Sequence, residues 1–309
     1  MTAVDEKIIN ILFASWQINV GTVCIPGEQV GVFCCFLYYN DSMLRSWGKS
    51  FFIILCLLLA NPSLCSAADI AYQGTHILTH GAFQKLAKAF EKKYGIAVFV
   101  KGGGCSDGIA VVVNDRREMG GICCPLNPEK AARQGLVQHR VAVDIKAVIV
   151  NSKNPVRDLK LKQVSDIHAG LLTNWKTVGG KDRPVALVYR DHCRDMEEPV
   201  RRVLGITGPV AKKAIIVKTD KDIVDYVERF PDAIGVVSRI FAEEAKVKMV
   251  AVDGIDPTPE NAEKGRYALT GDLFVITKGK PKGWTEKFIA FVLGDEGQAI
   301  IGKRFARVK

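Results

Sequence analysis

Short apolar runs alternate with segments of helical periodicity along the chain from residue 69 onward. Segments rich in apolar residues predict buried strands, and the longest of them is Val141–Asn151. Apolar residues recur at helical spacing from Phe83 to Phe90 and predict a helix over His80–Tyr94. Because the two kinds of element alternate, we expect an α/β fold with largely parallel sheets.

A different pattern precedes this region, in residues 43–68. Arg45 and Lys49 are followed by ten apolar residues, Phe51 to Ala60, and then by Pro62 and a small-residue segment. A basic start, a short apolar run and small residues are typical of a cleavable secretory signal peptide. The apolar run is shorter than the roughly 20 residues that a membrane-spanning helix needs.

The predicted signal peptide begins at an internal methionine, Met43. Residues 1–42 show no clear periodicity, and we interpret them as a spurious or non-structural extension. The mature protein would begin near Asp69 and lie in the periplasm or another extracytoplasmic compartment. Five of the nine cysteines precede residue 68, so the mature chain keeps four in an oxidising compartment.

The composition fits a globular protein, with 48% apolar and 25% charged residues in 309 positions. That length suggests about two domains. The net charge of +10 is spread among acidic residues without a run of five like charges, so we expect a basic solvated surface and no nucleic-acid contact.

Turns rich in small residues mark three strand-to-helix transitions, at residues 74–76, 104–108 and 191–195, and a fourth turn follows a strand at residues 120–125. Helix N-termini attract anions through free N–H groups. In open α/β sheets, ligands bind at the carboxyl ends of strands. Together these turns predict a ligand cleft, although each alone is a weak signal.

Several longer segments resemble the phosphate-binding proteins of ABC importers. The most specific are Val252–Asn261 (VDGIDPTPEN), Gly265–Tyr267, Phe274–Gly279 and Gly294–Gln298. Further matches are Val148–Asn151 with Asn154–Val156, and Asp166-Ile167 followed by Thr173–Trp175. The resemblance extends over essentially all of residues 69–309.

The resemblance implies a two-lobed periplasmic-binding-protein fold (Venus-flytrap, type II) that closes on its ligand by hinge bending. We expect lobe 1 to comprise residues 69–146 and 246–309, and lobe 2 to comprise residues 147–245. The crossings would lie in residues 142–150 and 234–252. The resemblance also implies a monomeric binding protein for a small inorganic ligand, serving a membrane ABC permease or a sensor protein.

Cysteines replace the usual ligand-binding residues of this family. Cys105 and Cys193 stand where serines are usual, and Cys123-Cys124 stands where serine is followed by Arg or Asp. His76 stands where Thr or Ser is usual. All four cysteines of the mature chain therefore fall on positions expected to line the cleft.

Thiols change the chemistry expected of such a cleft. A thiol is a weak hydrogen-bond donor, so it holds phosphate poorly. A helix N-terminus lowers a thiol pKa, and thiolates prefer soft ions. We therefore predict a thiophilic metal or metalloid ion as ligand, and the sequence identifies no other cofactor. The predicted metal ligands are Cys105, Cys123, Cys124, Cys193, His76 and His192, and the wider ligand-binding set adds Thr75, Ser106, Asp107 and Arg190.

Other readings of the same residues stay open. The cysteines could form disulfides, since four allow three pairings. Phosphate or another oxyanion could bind through backbone N–H groups with Thr75, Ser106 and Arg190. A thiol redox protein is a further alternative, although Cys123-Cys124 lacks the C-x-x-C spacing. No metalloprotease, nucleophile-elbow or P-loop motif is present, so we expect no enzyme.

Overall fold

The strands follow the apolar runs of the sequence. The computed structural model of the protein describes residues 70–193, 196 and 198–308. Within them the strands are β1 Ile70–Thr75, β2 Val98–Gly103, β3 Met119–Ile122, β4 Leu136–Asn151, β5 Asp158–Leu159, β6 Ala186–Arg190, β7 Ile215–Val217, β8 Ala233–Ser238, β9 Val247–Val252 and β10 Thr270–Lys278.

Helices separate most of these strands. They are α1 His76–Leu78, which continues through a π-helical turn at Thr79–Phe83 into α2 Gln84–Tyr94, then α3 Cys105–Val113, α4 Pro128–Arg133, α5 Leu161–Ala169, a 3₁₀ turn at Trp175–Val178, α6 Pro199–Val203, α7 Asp220–Arg229, α8 Arg239–Ala242, α9 Pro259–Glu263, α10 Gly283–Leu293 and α11 Asp295–Ile301. The first helix starts four residues earlier than the periodicity predicts, because Thr75 caps it by accepting the Ile77 N–H.

The strands form one curled sheet in the order β2-β1-β3-β10-β4-β8-β6-β7, with β5 and β9 beside β4. Its pairing is mixed rather than largely parallel. Among the described strands, every antiparallel pair involves β4 or β10, whereas β1 pairs in parallel with β2 and β3, β5 with β9, and β6 with β7 and β8. The prediction of largely parallel sheets was wrong here because these two long strands run against their neighbours.

Separate apolar clusters fill the two halves of this sheet. One packs Phe83, Phe90 and Phe288 against the β1–β3 half. The other half holds two clusters, one around Trp175 and Tyr189 and one around α7 and β8. Burial of large apolar side chains on both sides of β4 stabilises the fold, because each half of the sheet packs against a hydrophobic core of its own. The fold is therefore two-lobed.

Strand β4 belongs to both halves. Its first part, up to Ile145, pairs with β10, and its second part, from Lys146, pairs with β8 and β9. The backbone N–H of Lys146 donates to the Leu269 carbonyl at 2.8 Å, just before β10 begins. We propose that the two crossings lie side by side at residues 145–146 and 269–271, so that lobe 2 extends to about residue 269, beyond the expected boundary at 245.

Two predictions made from the sequence lie outside the described residues. They are the extension over residues 1–42 and the signal peptide over residues 43–68. Among the described helices, none has the length and apolar character that crossing a bilayer requires.

Candidate functional site

Glycines bring helix α3 against the sheet. A Cβ on Gly108 would lie 2.6 Å from the carbonyl oxygen of Gly121, and one on Gly120 would lie 2.1 Å from the carbonyl oxygen of Gly108. These contacts are backbone against backbone, so no flexible side chain can move aside. Only glycine permits so close an approach. As a result, the first residue of α3, Cys105, lies beside the residues that follow β3.

Three thiols meet at this junction. The Sγ atoms of Cys105 and Cys123 are 3.4 Å apart, and those of Cys123 and Cys124 are 3.9 Å apart. The backbone N–H of Cys123 also donates to Cys105 Sγ at 3.2 Å. All three residues are buried, with exposed fractions of 5%, 3% and 0%. All four cysteines of the described part are free thiols.

Lobe 2 contributes a second set of donors. His192 and Cys193 follow β6, and their donor atoms lie within 4.8 Å of one another and of Cys124 Sγ. His192 Nε2 is 4.0 Å from Cys124 Sγ, and its Nδ1 is 3.2 Å from the Arg190 carbonyl oxygen. Cys193 has a positive φ of 54°, which is uncommon for a residue other than glycine. Cys124 is therefore shared between a lobe 1 triad (Cys105, Cys123, Cys124) and an interlobe triad (Cys124, His192, Cys193).

Two ion pairs lie within electrostatic range of the thiols. Arg190 Nη1 contacts Asp220 Oδ2 at 2.5 Å, while its Nε donates to the Lys218 carbonyl. Lys146 Nζ lies 2.7 Å from Asp144 Oδ2, and both side chains are buried. A small cavity is lined by residues that include Lys146, Arg190, His192 and Asp220. Both cations are thus already paired with carboxylates.

The thiols influence one another's protonation. Hydrogen bonds with Cys123 and Cys124 lower the pKa of Cys105. The same network raises the pKa of Cys124 far above its ordinary value, through hydrogen bonds with Cys105 and Cys123. Burial opposes charge on His192, yet the hydrogen bond and charge interaction with Cys123, together with the Glu198 charge, raise the His192 pKa overall. The thiols of the cluster therefore differ in how readily they ionise.

Cys193 is the cysteine that we expect to react first with an alkylating reagent. Hydrogen bonds from Cys105 and Cys124 lower its pKa to about 5, with a further contribution from the Arg190 charge. Thiolate is the nucleophilic form, so it persists down to about pH 5 and is lost below that value. Cys193 is also half-buried, whereas the other three are buried.

Iodoacetamide labelling at pH 6, followed by peptide mass spectrometry, measures this order. Cys193 should be modified before Cys105, Cys123 and Cys124, and its rate should fall as the pH drops below 5. Equal labelling of all four thiols, or earlier labelling of Cys105, would contradict the assignment.

The structure does not bring every predicted site residue into these triads. Among the described residues, His76 belongs to neither triad; its ring stacks on His80 at 5.5 Å between centroids. The Thr75 hydroxyl accepts the Ile77 N–H, and Asp107 caps α3 by accepting the Gly104 N–H at 2.6 Å. Ser106 lies exposed in the first turn of α3.

Sequence reasoning named Arg190 but missed the other three members of the two ion pairs, Asp144, Lys146 and Asp220. Lys146 and Asp144 lie within an apolar strand. Two opposite charges at positions i and i+2 of such a strand indicate in the sequence that the two side chains form a buried ion pair. Asp220 is the first residue of α7, and the capping box formed by Thr219 and Asp222 indicates the start of this helix in the sequence. No local signal indicates that Asp220 meets Arg190, because 30 residues separate them.

A family model described as a PBP superfamily domain matches residues 74–296, which is more than half of the chain. The chain belongs to the PBP superfamily. This confirms the resemblance inferred from the sequence, and the superfamily domain spans parts of both lobes, including Cys105, Cys123, Cys124 and Cys193.

Similar proteins of this superfamily carry names that concern phosphate. The phosphate-binding protein PstS of Bacillus subtilis (strain 168) is 25% identical over 215 residues, covering 69% of this chain and 71% of the relative. A Clostridium perfringens structure described as a phosphate ABC transporter substrate-binding protein with bound phosphate is 29% identical. Its TM-score is 0.70, with 78% of this chain and 99% of that chain covered.

A structure of an ABC-type phosphate transport receptor from Vibrio cholerae supports the fold, with a TM-score of 0.62 at 24% identity over 77% of this chain and 99% of that chain. The names of the Bacillus subtilis and Clostridium perfringens proteins describe binding proteins and not enzymes. The two-lobed α/β fold and the expectation of a binding protein rather than an enzyme are thereby confirmed.

Proposed function

We propose that this protein is an exported solute-binding protein that holds a thiophilic metal or metalloid ion in its cleft. The observation that carries the proposal is the lobe 1 triad of buried thiols, whose neighbouring sulfurs are 3.4 and 3.9 Å apart. Adjacent donor sulfurs around zinc, at about 2.3 Å from the ion, are roughly 3.8 Å apart in a tetrahedral site. The spacing suits one shared soft ion.

The interlobe triad supports a ligand held between the lobes. Cys124 comes from lobe 1, while His192 and Cys193 come from lobe 2, so an ion on Cys124 would be contacted from both sides. Closure of the lobes around a ligand is the expected motion of this fold. We infer that the protein delivers the ion to a membrane ABC permease or reports it to a sensor, in the periplasm or its equivalent.

Phosphate is the second candidate ligand. It is favoured by the phosphate-bound Clostridium perfringens structure, which covers 78% of this chain. It would bind through backbone N–H groups with Thr75, Ser106 and Arg190. Against it, Arg190 already pairs with Asp220, Thr75 already caps a helix, and thiols occupy positions where hydroxyls would donate.

Calorimetric titration of the purified chain, with thiols kept reduced by a phosphine, distinguishes the two ligands. We expect Zn(II), Cu(I) or arsenite to bind tightly to the wild type and to lose that binding in a Cys105→Ser, Cys193→Ser variant. Phosphate should bind weakly to both. Phosphate binding that is tight and survives both substitutions, with no soft-ion binding, would replace the proposed function with oxyanion binding.

A further inference from the structure

The donor atoms of the cleft favour a ligand of coordination number three. Among the residues that the structure describes, the candidate donors form two triads that share Cys124, and no four of them lie mutually within 4.8 Å. Structural zinc sites are almost always four-coordinate and tetrahedral, with four donors equally close to one another. A three-coordinate ion needs only the lobe 1 triad.

The charge of the bound complex is the second constraint. The three sulfurs of the lobe 1 triad are buried, and an uncompensated buried charge is costly. The neighbouring cations Arg190 and Lys146 compensate it less than unpaired cations would, because Arg190 is paired with Asp220 and Lys146 with Asp144. A complex of three thiolates with Zn(II) carries one negative charge, and one with Cu(I) carries two. With a trivalent ion the complex is neutral.

We propose that the ligand is a trivalent metalloid hydroxide of the arsenous acid type, bound on the lobe 1 triad of Cys105, Cys123 and Cys124. This inference rests on the proposed function and names its substrate class. Arsenous acid is uncharged at neutral pH, so it enters a buried site without the desolvation cost of a free cation.

Binding is a condensation without electron transfer. Each thiol forms one sulfur–arsenic bond, one arsenic–oxygen bond breaks, and the thiol proton leaves with the hydroxide as water. Three thiols and one molecule of arsenous acid thus give one neutral tris-thiolate and three waters, and arsenic stays trivalent. Where a thiol is already ionised, the departing hydroxide instead takes up one proton from solution to leave as water. No proton is released in either case.

Proton release therefore separates this ligand from a divalent metal. We would titrate the purified, reduced chain with arsenous acid and with Zn(II), by calorimetry in two buffers of different ionisation enthalpy. Arsenous acid should bind with zero net proton release or with uptake, whereas Zn(II) binding to thiols releases protons. Cys105→Ser should abolish arsenous acid binding. Cys193→Ser, which leaves the lobe 1 triad intact, should weaken it by about tenfold or less.

The outcomes distinguish the inference from the proposed function. Arsenous acid binding without proton release, lost in Cys105→Ser, would support both. Tight binding of Zn(II) or Cu(I) without measurable binding of arsenous acid would overturn the inference and leave the soft-ion function standing. Binding of neither would overturn both. Circular dichroism and thermal unfolding of each variant show whether a loss reflects misfolding.

Discussion

Replacing Cys124 by serine should abolish tight binding of soft ions, with an affinity loss of at least about 100-fold, equivalent to about 2.8 kcal/mol. Cys124 is the one residue that belongs to both triads, so its loss leaves two donors in each. Serine differs from cysteine only in carrying oxygen in place of sulfur, and a hydroxyl is a poor ligand for a soft ion. Calorimetry or competition with a chromophoric chelator measures the affinity.

The Cys193→Ser variant is the control for this substitution. It also removes one thiol from the cleft, but the lobe 1 triad remains complete. We expect a smaller loss of affinity than for Cys124→Ser, and similar thermal unfolding for both variants. Equal losses in the two variants would show that the interlobe triad, rather than the lobe 1 triad, holds the ion.

Replacing Gly108 by alanine should both destabilise the protein and weaken ion binding. The added Cβ would lie 2.6 Å from the Gly121 carbonyl oxygen and 2.8 Å from its nitrogen, so α3 must move away from β3. Overpacking of this kind costs about 1–3 kcal/mol, and occasionally more. The same movement separates Cys105 Sγ from Cys123 Sγ, which now lie 3.4 Å apart. Urea unfolding and ion titration measure the two effects.

Gly208→Ala is the matched control, because a Cβ there would meet nothing within 4 Å. It should leave ion affinity unchanged and leave the free energy of unfolding unchanged or slightly higher, since alanine restricts the unfolded chain. If Gly108→Ala proves as stable as Gly208→Ala and binds ions as tightly as the wild type, the glycine contact does not position Cys105.

Much of the fold could be predicted from the chain because buried strands and amphipathic helices have local signatures. The apolar run Val141–Asn151 marks most of β4, although the strand begins at Leu136. The helix predicted over His80–Tyr94 is present, but with a π-helical turn that periodicity does not indicate. Strands β4 and β10 are antiparallel to their neighbours in the sheet. Their direction depends on the path of the whole chain and has no local signature.

The candidate site was only partly predictable for a similar reason. The positions of Cys105, Cys123 and Cys124 after glycine-rich turns could be recognised from the family resemblance. That His192 rather than His76 lies against these thiols follows from the approach of lobe 2, which no local pattern records. The pairing of Arg190 with Asp220 likewise depends on parallel pairing of β6 with β7, which ends just before α7.

X-ray absorption by the bound ion is the most direct test of a thiolate site in this cleft. The reduced chain would be loaded separately with Zn(II), Cu(I) or arsenite, freed of excess ion, and measured at the absorption edge of the ion. We predict a first coordination shell of three sulfurs for the ion that binds most tightly, and loss of that shell in Cys124→Ser. A first shell of oxygen and nitrogen alone would contradict a thiolate site and would favour phosphate as the ligand of this cleft.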